Sequence, residues 1–239
     1  MLKNPTKILK YKSKILSVEF IGIPGSGKTY LADNLCKKKW FSKRSLSTRD
    51  FGIIRTYCRY FFILIKYSPE IIKILSQTFN ANNKMTIMLL KWRLRLMFRL
   101  FIIADRRKSR VLGNNNYVTV LDQGVIQSIG SCIMSGLVIQ NELMLKLIKD
   151  CAITSDNCIV IFHNADLSTA INSVYSRKEQ NLPSIKMFDK HELIEYYKKM
   201  STILENIVTL LEVEKFKVVK TFRNNNVSLS IEEITKSIY

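Results

Sequence analysis

The chain has 239 residues, of which 47% are hydrophobic and 24% are charged, and its formal net charge is +19. This composition fits a globular protein of ordinary domain size, and the low counts of 8 glycines and 4 prolines exclude a collagen-like or low-complexity chain. The five cysteines contain no Cys-x-x-Cys pair, and with two histidines they offer no zinc-ligand spacing. We therefore expect reduced thiols in a cytoplasmic protein.

The positive charge is concentrated in the first half of the chain. Residues 1–120 carry 25 basic and 5 acidic side chains, whereas residues 121–239 carry 13 and 14. Such an asymmetry favours an anionic partner, which could be phosphate groups, a nucleic acid or an anionic membrane surface; a solvated basic face is the alternative. The longest apolar run, Tyr60 to Ile65, has six residues, far fewer than the roughly 20 needed to cross a bilayer. The basic segment 1–14 lacks the apolar core of a secretory signal.

Hydrophobic periodicity predicts strands that alternate with helices. Residues 15–23 are nearly all apolar and predict a strand buried on both faces, and residues 30–39 show helical spacing. A short strand is expected near Ser45 to Thr48. Three helical segments follow, over 51–67, from Ser68 and Pro69 onward, and over 83–110.

The second half of the chain continues this alternation. Strands are expected over 117–122, 158–162 and 216–222. Helices are expected from Gly124 to Asp150 and over 167–178, 190–213 and 230–239. The pattern predicts an α/β fold with a central parallel sheet of five strands between helices, and with neither an internal repeat nor a long linker we expect a single domain over 1–239.

The segment GIPGSGKT, residues 22–29, satisfies the phosphate-loop pattern G-x-x-x-x-G-K-[ST]. Glycines let the backbone N–H groups wrap a polyphosphate, and the following helix adds its positive end. Lys28 can reach the β- and γ-phosphates, and the Thr29 hydroxyl can ligate Mg²⁺. We therefore predict ATP and Mg²⁺ as cofactors. The predicted donor site comprises Gly22, Gly25, Ser26, Gly27, Lys28, Thr29 and Tyr30.

Asp122 ends the predicted strand 117–122, at the sheet edge where the phosphate loop also lies. Its carboxylate could hold Mg²⁺ or accept a proton from a substrate hydroxyl. The alternative is a cap for the helix after Gly124, because aspartate also favours that position.

The segment VEFIGIPGSGKTYLA resembles the first strand and phosphate loop of nucleoside and nucleotide kinases. Three further stretches are similar to thymidylate kinases: STRDFG at 47–52, LFIIADR at 100–106, and VLDQG at 120–124 with Gln127 and Ser128. The resemblance implies a three-layer P-loop fold and phosphoryl transfer to a small anionic acceptor, either nucleotide, nucleoside or sugar-type. It also implies substrate-side roles for Arg49, Arg106, Gln123 and Gln127, and a catalytic role for Asp50.

The chain departs from the thymidylate kinase pattern at three places. Gln123 stands where the family has an arginine, and Asp50 stands where it has a glutamate. Pro24 and Gly25 occupy the part of the loop that carries an acidic residue in the family. These changes lie on the acceptor side, so the acceptor is expected to differ from thymidine monophosphate.

Two arginines outside the loop complete the predicted site. Arg177 precedes a polar segment over 179–190, where kinases of this fold carry a lid whose arginines stabilise the transferring phosphoryl group. The alternative for Arg177 is a favourable contact with the helix end. Arg93 projects from the apolar face of the helix over 83–110 and needs an anion, which is either an internal carboxylate such as Asp50 or an acceptor phosphate.

The basic faces of the predicted helices over 51–110 leave a second function open. Arg55, Arg59 and Lys66 share one face, and a second stripe runs along the following long helix through Lys84, Lys91, Arg95, Arg99, Arg106 and Arg110. These stripes could lie on an anionic membrane, as in a nucleotide-gated NTPase that assists assembly there. Nucleic acid is not an expected partner, since no known nucleic-acid-binding motif accompanies the basic residues. A homodimer is left open.

Overall fold

The computed structural model describes residues 15–43, 53–81, 87–112, 117–151, 153–178, 190–223 and 226–238. Within these residues a five-stranded sheet has the order β2-β3-β1-β4-β5. Its strands are β1 Ser17–Ile21, β2 Phe41–Lys43, β3 Val118–Leu121, β4 Cys158–Asn164 and β5 Lys217–Phe222. Each neighbouring pair is parallel, which confirms the predicted α/β sheet.

Helices cover both faces of the sheet. They are α1 Lys28–Leu35, α2 Ile53–Lys66, α3 Ser68–Ala81, α4 Ile87–Leu112, α5 Val125–Met134, α6 Asn141–Asp150, α7 Leu167–Lys178, α8 Lys190–Val213 and α9 Val227–Ile238. Successive strand residues point to opposite faces, so Phe20 packs with α1 and α9 while Ile21 packs with α4, α5 and α8. The result is the three-layer arrangement expected from the sequence.

Two local expectations differ from the structure, and a third is not tested by it. The strand expected near Ser45 to Thr48 lies outside the described residues, and the described edge strand β2 precedes that segment. The helical stretch expected to run to Asp150 is two helices, because α5 ends at Met134 and α6 starts at Asn141. Arg106 is 2% exposed and therefore not part of an exposed basic stripe, since the carboxyl-terminal half of α4 is buried around most of its circumference.

A buried ion pair joins strand β1 to helix α4. Glu19 and Arg107 are both fully buried, with 3.3 Å between Glu19 Oε2 and Arg107 Nη1. Arg107 Nη2 also donates to Ser17 Oγ at 2.8 Å and to Cys158 Sγ at 3.3 Å. Burial raises the pKa of Glu19, while the Arg107 charge and backbone N–H donors at the start of α5 oppose that rise. These partners offset the cost of removing both charges from water.

No helix in the described part of the chain is long and apolar enough to span a bilayer.

The ion pair leads to a stability prediction. Arg107→Met should lower the free energy of unfolding by about 3–5 kcal/mol, because it leaves the Glu19 carboxylate buried without its cation. The double variant Glu19→Gln/Arg107→Met should recover part of this loss, since neither charge then remains. Urea unfolding followed by circular dichroism measures both values. Arg95→Gln, at an exposed position of the same helix, is the control, and an equal loss in all three variants would contradict the assignment.

Candidate active site

The phosphate loop joins β1 to α1 at the carboxyl edge of the sheet. Gly27 is the N-cap of α1 and has φ 101°, a left-handed conformation that side chains disfavour. No side chain caps this helix end, so its first N–H groups face the loop. Together with the helix dipole they form an arrangement suited to bind an anion.

Lys28 folds over the loop from the first position of α1. Its ammonium donates to the carbonyl oxygens of Gly22 and Ile23, both at 2.7 Å, and lies 3.5 Å from Ser26 Oγ. The cation is thus held at the centre of the loop by the loop's own backbone. In this position a short movement of the flexible side chain brings it to a phosphate bound by the same amides.

Thr29 and Asp122 lie together, as the sequence led us to expect. The Thr29 hydroxyl is 3.2 and 3.1 Å from the two carboxylate oxygens of Asp122, which directly follows β3. Lys43 Nζ, at the end of β2, is 3.6 Å from Asp122 Oδ2 and 2.6 Å from Asp33 Oδ1. Asp122 therefore faces the phosphate loop between a hydroxyl and a cation.

This pair of oxygen donors fits Mg²⁺, which prefers oxygen ligands and binds through one or two carboxylates, waters and substrate phosphates. Among the described residues no group of three or more histidine, cysteine or acidic side chains forms a cation cage. Thr29 and Asp122 would supply two oxygen ligands to a metal bound here.

The turn between β3 and α5 is fixed from two sides. Glu19 Oε1 accepts a 2.6 Å hydrogen bond from the N–H of Ile126, and Gln127 Oε1 accepts a 3.0 Å bond from the N–H of Gly22. Gly124 has no room for a side chain, since a Cβ there would lie 2.1 Å from the Glu19 carboxylate carbon. These contacts hold the turn that carries Asp122 against the phosphate loop.

His163 and Arg223 support the loop from its other side. His163 is 4% exposed, and its Nδ1 lies 2.8 Å from Thr221 Oγ1. Burial lowers the pKa of His163 to about 4, and the nearby Lys28 and Arg223 cations act in the same direction. Arg223 Nη1 donates to the Gly25 carbonyl at 2.6 Å and also to Ser173 Oγ.

Two cavities adjoin the phosphate loop. The first, about 270 Å³, lies on the α4, α5 and α8 side and is lined by Pro24, Lys28, Leu96, Arg99, Gln123, Gln127, Ser128, Ser131, Tyr196 and Met200. The second, about 400 Å³, lies on the α1 and α9 side and is lined by Gly27, Tyr30, Leu31, His163, Phe222, Arg223, Val227 and Ser230. The loop therefore separates two spaces large enough for small-molecule groups.

The structure brings only part of the predicted site together. The loop residues, Asp122, Gln123 and Gln127 adjoin the first cavity or the loop, and Tyr30 lines the second cavity. Arg93 is 5% exposed and donates from Nε to the Ser135 carbonyl at 2.9 Å, so it packs against the turn after α5 rather than along the described cavity walls.

The other predicted site residues are either away from the two cavities or outside the part of the chain whose side chains are described. Arg106 is buried within α4 and does not line either cavity. Arg177 belongs to the last turn of α7, where only the backbone is described, and the lid segment expected after it lies outside the described residues. Arg49 and Asp50 also lie outside the described residues.

Four residues near the loop were missed by sequence reasoning: Glu19, Arg99, His163 and Arg223. Glu19 is a lone acid within an apolar strand, and this is a signal for a buried partner. Arg99 was placed on the basic stripe of the long helix and not at the site; it is exposed and lines the first cavity. His163 and Arg223 directly follow the strands predicted over 158–162 and 216–222, at the strand ends where α/β proteins place ligand-contacting residues.

Comparisons with known proteins agree with this geometry. No protein-family model and no curated protein matches the chain. Solved structures of deoxyadenosine kinase from M. mycoides are similar to it: those with bound dCTP and with bound dATP each have a TM-score of 0.53, and the one with dCMP and a flexible dCDP has 0.54. Each is 15% identical, with 92% of this chain and 97% of the other covered. The chain thus has the fold of a P-loop nucleoside kinase.

The buried histidine leads to a pH prediction. The folded protein keeps His163 neutral down to pH about 4, whereas an unfolded imidazole binds a proton below pH about 6.5. The unfolded state therefore gains protons first, and stability falls as the pH drops through this interval. At pH 5 the loss should reach about 2 kcal/mol relative to pH 7.

Urea unfolding of His163→Asn at pH 7 and pH 5 tests this assignment. The variant should lose less stability on acidification than the parent protein. His191→Asn, at an exposed position of α8, is the matched control and should behave like the parent. An unchanged pH dependence in His163→Asn would contradict the neutral state of this histidine.

Proposed function

We propose that the chain is an ATP-dependent kinase that transfers a phosphoryl group to a small anionic acceptor. The observation that carries this proposal is the placement of two cavities on either side of one phosphate loop. Hydrolysis of a nucleotide needs only a donor site and water, whereas transfer needs a second space that faces the terminal phosphate. The structural similarity to deoxyadenosine kinase supports the same class of reaction.

The second cavity suits the donor nucleotide. It contacts the loop at Gly27, and the exposed rings of Tyr30 and Phe222 and the aliphatic Val227 offer surfaces for a base. Solved structures of the similar deoxyadenosine kinase contain dATP and dCTP, so nucleotide triphosphates are compatible with this fold. ATP bound here would place its phosphates along residues 22–29.

The residues at the loop then have distinct tasks. The main-chain amides orient the phosphates, and Lys28 exchanges its backbone partners for phosphate oxygens as negative charge develops. Thr29 and Asp122 would hold Mg²⁺, which would supply positive charge against the phosphates of the nucleotide. Gln127 keeps Gly22 in place through its hydrogen bond to the Gly22 N–H.

The first cavity suits an acceptor that carries negative charge. Lys28 and Arg99 supply its two cations, and among its described lining residues there is no carboxylate. Gln123 and Gln127 add amide groups that can donate hydrogen bonds to a base or sugar and accept hydrogen bonds from it. A nucleoside monophosphate satisfies both features, so the acceptor is of the thymidylate-kinase-like type, with Arg99 as a phosphate contact. Asp50 remains a predicted catalytic residue on the acceptor side, and Arg177 remains a predicted partner of the transferring phosphoryl group.

A screen of nucleosides, nucleoside monophosphates and sugar phosphates for acceptor-dependent ADP formation tests the activity. Lys28→Ala should lower kcat by about a thousandfold, because it removes the cation nearest the transferring phosphoryl group. Lys37→Ala, at an exposed position beyond the end of α1, is the control and should retain activity. ATP hydrolysis at one rate with and without every acceptor would instead favour a nucleotide-gated NTPase.

Arg99→Gln tests the acceptor site separately. It should raise the KM for a monophosphate acceptor about tenfold or more and leave the KM for ATP unchanged, since one charge-assisted contact is lost on the acceptor side only. Arg95→Gln, one turn earlier on the exposed face of α4, is the matched control. Equal changes in both KM values would remove Arg99 from the acceptor site.

A further inference from the structure

The helices α2, α3 and α4 expose an unusual number of large apolar side chains. Among the side chains of these helices that the structure describes, seven are 42–70% exposed, and we call this set the outer helical surface. Its members are Phe61, Phe62, Leu64, Ile65, Ile72, Phe79 and Trp92. Single exposed apolar residues are ordinary on protein surfaces, but a concentration on neighbouring helices marks a contact site.

The exposure on α2 follows from the direction of its side chains. At about 100° per residue, Phe61, Phe62 and Ile65 share one side of the helix. The opposite side carries Ile63, 2% exposed, which packs in the core, and Tyr60, whose ring is 5.5 Å from that of Phe98 on α4. The helix is thus apolar on its inner side and on its outer side. Packing among the described residues accounts only for the inner side.

The charges on the same helices are almost all positive. Lys73, Lys91 and Arg95 are exposed on α3 and α4. The acidic side chains in the described parts of these helices are neutralised locally, because Glu70 lies 2.7 Å from Lys146 and Asp105 lies 2.7 Å from Lys66. The outer helical surface therefore combines apolar side chains with an excess of cations.

We propose that the outer helical surface binds an anionic lipid bilayer. Aromatic and aliphatic side chains on an amphipathic helix enter the headgroup region, while flanking lysines and arginines contact anionic lipids. A second copy of the chain is a poorer partner, because a two-fold contact through this surface would bring the same cations face to face. The proposal does not depend on the kinase activity, since no residue of the phosphate loop takes part in it.

Co-sedimentation with vesicles, in the absence of nucleotide, tests the proposal. The protein should bind vesicles of equal parts phosphatidylglycerol and phosphatidylcholine, bind pure phosphatidylcholine vesicles at least tenfold more weakly, and lose binding as ionic strength rises. The double variant Phe62→Ser/Ile65→Ser should reduce the partition coefficient about tenfold, because it removes apolar surface that enters the bilayer. The double variant Lys73→Glu/Arg95→Glu should cause a similar reduction through charge.

Matched controls change the same residue types on the other helices. Leu229→Ser on α9, 62% exposed, and Lys198→Glu/Lys199→Glu on α8 should leave vesicle binding unchanged. Circular dichroism of each variant confirms that it is folded. Equal binding to both vesicle types, no binding to either, or equal losses in the controls would overturn the proposal. So would a stable dimer of the parent protein that Phe62→Ser/Ile65→Ser dissociates in sedimentation equilibrium, since a second copy would then cover this surface.

Discussion

The contact of the buried Glu19 carboxylate with the start of α5 is the constraint on which the site depends. Glu19 belongs to the strand that leads into the phosphate loop, and it receives the N–H of Ile126 from the turn that carries Asp122. Gln127 of the same turn receives the N–H of Gly22. Two hydrogen bonds in opposite directions therefore fix the turn to the loop, and Arg107 pairs with the Glu19 carboxylate in the protein interior, where its charge opposes the rise in the pKa of Glu19 that burial causes.

Because these hydrogen bonds fix the position of the phosphate loop, the loop separates the two cavities. The phosphate loop crosses the edge of the sheet, so one of its sides faces α5 and α8 and the other faces α1 and α9. Lys28 reaches the first side and Gly27 the second. The chemical character also differs between the sides, because the amides of Gln123 and Gln127 line only the first cavity, whereas the exposed rings of Tyr30 and Phe222 line the second. A loop of six residues thereby gives the two spaces different binding properties.

The sequence predicted the structural features that arise from residues close together along the chain. It missed many contacts between residues that are far apart along the chain. The strand, loop and helix around residues 17–35 follow from local pattern, and Asp122 could be placed because parallel strands end at one edge. The bond from Ile126 to Glu19 joins positions 107 apart, and no periodicity reveals it. Helical spacing placed Arg93 correctly on the inner face of α4, but it could not show that the Ser135 carbonyl would be its partner. Arg106 was misplaced because the same spacing cannot show how deeply a helix end is buried.

The close approach of Glu19 to Gly124 limits which amino-acid substitutions these two positions can accept during evolution. The space that a methyl group would need at position 124 is filled by the end of the Glu19 side chain. The side chains at positions 19 and 124 thus compete for the same space, so a larger residue at one position requires a smaller residue at the other. In related chains, alanine or serine at 124 should accompany a shorter residue at 19, together with the loss of the arginine at 107. These three positions should therefore change as a set, because a substitution at one of them alone leaves either a steric overlap or an unpaired buried charge.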